Sequence, residues 1–148
     1  MINNAITLLD PLTADTPPVF GMMTAQHMVE HLIWSLKISN GDKQSEQFFR
    51  PEKAEKMKAA LIYTDAEMPL GFRAPVLPEN EVLPLEYANL QEAKGIFATE
   101  LNRFHDYFKS NPEATLMNPS LGLLSHKEWL VFHTKHFKHH FKQFSLLP

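Results

Sequence analysis

Eleven prolines are spread through this chain of 148 residues, and their positions decide where helices can run. Proline fixes its own φ, has no N–H to give to a helix, and turns the residue before it toward extended backbone. Pro11, Pro17 and Pro18 leave room in the first segment only for a short helix around Ala5 to Leu9, followed by an extended stretch that packs across the rest. Prolines 69, 75, 78 and 84 exclude a regular helix from Ala66 to Pro84, a long connection for a small protein. Pro112, Pro119 and Gly122 mark a second loop, whereas Pro51 suits the first turn of a helix.

The windows between these breaks carry helical periodicity. Thr24 can cap a first long helix that runs to about Asn40, where Asn40-Gly41 supplies a stop; Met28, Leu32, Ser35 and Ile38 form its apolar face, with His31 among them. A second long helix is expected from Pro51 to about Asp65, with Met57, Leu61 and Ile62 inward. The third runs from about Leu85 to Lys109 on Leu90, Ile96, Phe97, Leu101, Phe104 and Phe108. Ser125 and Glu128 have capping-box spacing, so the fourth runs from His126 to about Phe144. No strand-like alternation or repeat competes with this pattern, which makes the expected class all-α. The long connection lets the second and third of these helices run parallel.

Hydrophobic residues make up 44% of the chain and charged residues 21%, and 11 are Phe, enough to bury a core in one domain over residues 1–148. A net charge of -3 gives no basic footprint for nucleic acid. With no cysteine, disulfides, thiolate zinc sites and cysteine nucleophiles are excluded, and any metal must take N and O ligands. The first residues lack the pattern of a signal peptide and no apolar run spans a bilayer, so the chain reads as cytoplasmic, with no membrane partner.

Four of the eight histidines fall between residues 133 and 140. Two histidines four apart on a helix present their rings on one side, one turn apart, and His27/His31 and His136/His140 both satisfy this. His31 lies near the centre of its apolar stripe and His27 at its edge, so His31 is the better inward ligand. A lone histidine on an apolar face is more often a hydrogen-bonded core residue than a ligand. Several imidazoles buried together differ, because each costs desolvation and protonation sets like charges side by side. A shared cation resolves both. His126 and His139 read as surface residues, and the periodicity leaves His105 open.

The run His136-Phe137-Lys138-His139-His140-Phe141-Lys142-Gln143 resembles the last-helix signature of the DinB-like (YfiT-like) metalloproteins, His-x-x-x-His followed three residues later by Gln. Ala25-Gln26-His27-Met28-Val29-Glu30-His31-Leu32 is similar to that family's first-helix segment. Gly21-Met22-Met23-Thr24, and Asn118-Pro119-Ser120-Leu121-Gly122 leading to Trp129, further resemble an uncharacterised branch, which often has His where this chain has Asn118. The resemblance implies an up-down-down-up four-helix bundle with one divalent transition metal, zinc or nickel first and iron, manganese or cobalt also compatible, on His31, His136 and His140. It implies an enzyme acting on a small molecule, a hydrolase or a transferase with a small thiol cosubstrate. His27 and His133 are expected in supporting or proton-transfer roles. The second reading is a metal-binding or stress-response protein that dimerises and catalyses nothing, with Ile33, Trp34 and Leu36 widening the first helix's apolar surface toward a homodimer interface or toward cover by the N-terminal segment.

Overall fold

The computed structural model describes residues 1–70 and 81–148. A 3-10 turn, Ile2–Asn4, leads into α1 (Ala5–Leu8), and four longer helices follow: α2 (Ala25–Ser39), α3 (Pro51–Ile62), α4 (Leu90–Ser110) and α5 (His126–Gln143). Each boundary has a local cause. Thr24 Oγ1 accepts the His27 N–H at the start of α2, and Gly41, at φ 81°, follows its end. Pro51 opens α3. At α5, Ser125 Oγ accepts from Glu128 N at 3.3 Å while Glu128 Oε1 accepts from Ser125 N at 2.9 Å, the reciprocal box that the spacing predicts.

Two boundaries differ from expectation. α3 stops at Ile62 rather than near Asp65. α4 begins at Leu90, not Leu85, because Glu30 accepts from the Glu86 and Tyr87 N–H groups and holds them outside the helix, and because Asn89 caps α4 through Glu92 N at 2.8 Å.

The class is mostly helical, and the strictly all-α expectation is corrected by a small antiparallel hairpin between α4 and α5. Its strands, β1 (Leu116–Asn118) and β2 (Gly122–Leu124), pair Leu116 with Leu124 and Asn118 with Gly122. Asn118 Oδ1 accepts from the Ser120 and Leu121 N–H groups, and Gly122 takes φ 81° to close the turn. Three residues per strand are too few for alternation to register in the sequence.

Paired contacts also fix the helix directions. Ser39 bonds His133 while His31 reaches His136 and His140, so α2 and α5 are antiparallel. Glu30 bonds residues 86 and 87 whereas Asn40 bonds Glu100, so α2 and α4 are parallel. Lys58 meets Glu128 and Lys135 meets Thr64, so α3 and α5 are parallel. The order is up-down-up-down, which overturns the expected up-down-down-up. Glu67 pairs with Lys138 and Lys142 at one end of the α3–α4 connection, and Glu30 takes the backbone at the other. Both described ends of the connection therefore lie at the same end of the molecule.

α2 packs along α4, and one core joins Met28, Leu32 and Leu36 of α2, Phe97, Phe104 and Phe108 of α4, and Trp129, Phe137 and Phe141 of α5. Ile33 and Leu36 are buried in that core together with Ala5, Leu9 and Leu12, and Trp34 is partly buried against it. The wide apolar surface of α2 is covered within the chain. Lys94 Nζ, donating to the Asp10 and Leu12 carbonyls, ties the N-terminal segment to α4. Among the described residues no helix is long and apolar enough to cross a membrane.

Candidate metal centre

α5 supplies two histidines on its buried side, His136 and His140, and the middle of α2 supplies His31. One ligating nitrogen from each lies within 4.8 Å of the others, and His31 Nε2 stands 2.9 Å from His136 Nε2. Around one ion, imidazole nitrogens bound at 2.0–2.1 Å sit roughly 3.3 Å apart, a spacing that these distances bracket. Two Nε2 atoms at 2.9 Å otherwise require that one carry a proton for the other to accept.

Electrostatics prepares the group for a cation. Burial, then the neighbouring His139, pushes His31 down to about 4. Burial, followed by His31 and His140, holds His136 well below its usual range, and burial with His31 does the same for His140 against its bond to Gln143. All three rings are therefore neutral near pH 7, with lone pairs free to coordinate. Gln143 Oε1, 2.7 Å from His140 Nδ1, accepts the proton there and leaves Nε2 as the free nitrogen. His136 Nδ1 is buried with no hydrogen-bond partner among the described residues. The donor set, its enclosure and the tautomer are such that the three histidines could hold a metal ion.

The triad stands between two spaces. An inner cavity of about 90 Å³ is lined by Ser35, Met68, Asn118, Ser120, Trp129 and Phe132 together with the three histidines. An outer cleft of about 330 Å³ is lined by Phe20, Met22, His27, Lys37, His139 and Gln143, with His31 and His140 on its floor. Met23 and Trp34 border both.

The other histidines are placed less simply than their spacing suggests. His27 lines the outer cleft, with Nδ1 2.6 Å from Thr24 Oγ1, so it serves the start of α2 and touches no ligand. His133 is fully buried, bonds Ser39 Oγ at 2.7 Å, stacks on Trp129 and lies outside both spaces. Burial drives it down to about 3. His139 and His126 are half-buried rather than surface residues: Phe20 packs on His139, and His126 stacks on Phe108. His105 lies beside His126, away from the triad. The residue that sequence reasoning left without a role is Gln143, whose signal is its place three residues after His140 on the same helix face.

A mostly helical protein with a cluster of three neutral imidazoles, two buried and one half-buried, beside two cavities is the class that fold and site define. No family model, curated protein or solved structure matches the chain.

Proposed function

We propose that the chain is a DinB-like four-helix bundle protein in which His31, His136 and His140 hold one divalent transition metal and serve a reaction on a small molecule. The observation that carries this reading is the convergence of three neutral imidazoles, His136 and His140 buried and His31 half-buried, on one point next to two cavities. A structural zinc site is closed by four protein ligands, whereas three ligands leave room for water or substrate. Zinc or nickel suits the imidazole set best, with iron, manganese and cobalt compatible. Such an ion supplies Lewis acidity, lowering the pKa of water or of a small thiol, as a hydrolase or a thiol-dependent transferase requires. The chain's own residues do the rest. Trp34 stacks near His31, Trp129 and Phe132 give the inner cavity apolar walls, and the outer cleft is wide enough for a small substrate.

One observation favours the non-catalytic alternative, a metal-binding or stress-response bundle that dimerises. Among the described residues, no carboxylate lines the inner cavity, and Glu30, the acid next to His31, has its oxygens engaged by Gln26 and by the backbone of residues 86 and 87. Turnover decides between them. Protein loaded with zinc or nickel is assayed on ester, amide and thiol-acceptor substrates beside a His140→Ala control. Metal-dependent turnover lost in the control supports the enzyme; stoichiometric metal with no turnover on any panel supports the alternative.

A further inference from the structure

We propose that Gln143 is a positioning residue that ties the tautomer of His140 to the seating of the segment Val19 to Gly21, so that this strap controls how well the triad holds a metal without touching a ligand. The metal half of this statement rests on the function proposed above; the tautomer half does not.

Gln143 is buried at the end of α5, and both ends of its carboxamide are engaged. Oε1 lies 2.7 Å from His140 Nδ1, and Nε2 donates to the Phe20 carbonyl at 2.9 Å. An amide oxygen only accepts, so His140 must carry its proton on Nδ1. Turning the amide over would set Oε1 against the Phe20 carbonyl, acceptor against acceptor. It would also aim N–H groups at His140 Nδ1, forcing the proton onto Nε2, the nitrogen needed for a metal. The Phe20 carbonyl thus fixes the amide, and the amide fixes the imidazole.

The strap is built for this approach. Val19 N donates to the Gln143 carbonyl at 2.7 Å, pinning the segment to the end of α5. Gly21 takes φ 80°, and a Cβ there would stand 2.8 Å from Gln143 Nε2. Only glycine meets both conditions. Because Phe20, Gly21, Met22 and Met23 also wall the outer cleft, the strap is one surface of the candidate substrate site as well as the clamp on a ligand. Coupling of this kind is reciprocal: if a seated strap favours the ligating tautomer, metal favours a seated strap.

The test reads the His140 tautomer directly, by long-range proton–nitrogen NMR of the imidazoles in metal-free protein, and then zinc affinity by competition, in the parent, Gln143→Leu, Gln143→Glu and Gly21→Ala. The parent is expected with its proton on Nδ1. Gln143→Glu keeps that tautomer, since a carboxylate still accepts from Nδ1, but its second oxygen has no donor for the Phe20 carbonyl, so the strap loosens and affinity falls by less than in Gln143→Leu. Gln143→Leu and Gly21→Ala move the proton toward Nε2 and lose about 10–100-fold in zinc affinity, the usual effect of removing an outer partner of a ligating histidine. Gly21→Ala is decisive because residue 21 touches no ligand, and Gln143→Leu stands in for it if the strained position prevents folding. A parent proton on Nε2, or Gln143→Leu with unchanged tautomer, overturns the relay even in protein that binds zinc. The expected tautomer shifts in a parent that binds no zinc support the relay and overturn the metal reading instead.

Discussion

His136 and His140 sit one turn apart on α5 and receive His31 from α2, while His139, between them in sequence, turns its ring to Phe20. These positions separate the proposed ligands from their neighbours. Elemental analysis of protein purified without chelator is expected to give close to one transition-metal ion per chain. His31→Ala and His140→Ala should each weaken retention beyond the 10–100-fold typical of an outer partner, with His139→Ala close to the parent. Equal losses from His139→Ala and His136→Ala would sink the ligand assignment. That His31 rather than His27 meets His136 and His140 was legible in the sequence because one lies at the centre of an apolar stripe and the other at its edge. The half-burial of His139 was not, since it depends on Phe20, a partner 119 positions away that no helical periodicity reports.

Helix ends that depend on neighbouring residues were equally legible. Thr24, Pro51 and the Ser125/Glu128 box all act within one turn of themselves. The start of α4 was misplaced because Leu85 to Tyr87 look helical until Glu30 takes their backbone N–H groups, a contact 56 positions away. Glu128 joins the two kinds of interaction, completing the box at α5 while its other oxygen meets Lys58 at 3.0 Å and accepts from Tyr63, both across the interface with α3. Burial opposes its charge, but the bonds from Ser125 N–H, Tyr63 and Lys58 outweigh it and hold Glu128 down to about 2. Ser125→Ala should therefore cost about 1 kcal/mol, the worth of a cap. Glu128→Ala should cost about 1–2 kcal/mol, because it removes its half of the box and also the ion pair with half-buried Lys58 on α3, while exposed Tyr63 adds little. Urea unfolding at neutral pH measures both, and a Glu128→Ala cost no larger than that of Ser125→Ala would show that the α3 contacts add nothing.

At the scale of the whole molecule, the length of the connection after α3 permitted either a parallel or an antiparallel neighbour, and contacts between distant residues such as Asn40 with Glu100 and Lys58 with Glu128 decide. Helical class was readable from proline-free windows; topology was not, because loop length limits reach without fixing direction. The same packing governs the response to acid. Burial holds His31 at about 4 and His133 at about 3, each below the ordinary 6.5. A group whose folded pKa is lowered leaves stability intact above about pH 6.5 and removes it as the pH falls through the folded value, since the unfolded chain then binds the extra proton. Metal-free protein should thus lose several kcal/mol between about pH 6.5 and about pH 4, and His133→Phe should soften that decline. An ion bound only to the folded state adds RT ln(1 + [L]/Kd), about 2.7 kcal/mol at a hundredfold excess over Kd. Because the triad stays neutral until well below the usual histidine range, that increment should persist at about pH 5.5 and fade only toward about pH 4, as protons begin to compete for the ligands. Melting curves of metal-loaded and metal-free protein at about pH 7.5, 5.5 and 4.5 measure it. An increment already lost at about pH 5.5 would mean that the ligands titrate as exposed histidines do, and that the burial of the site does not hold them neutral.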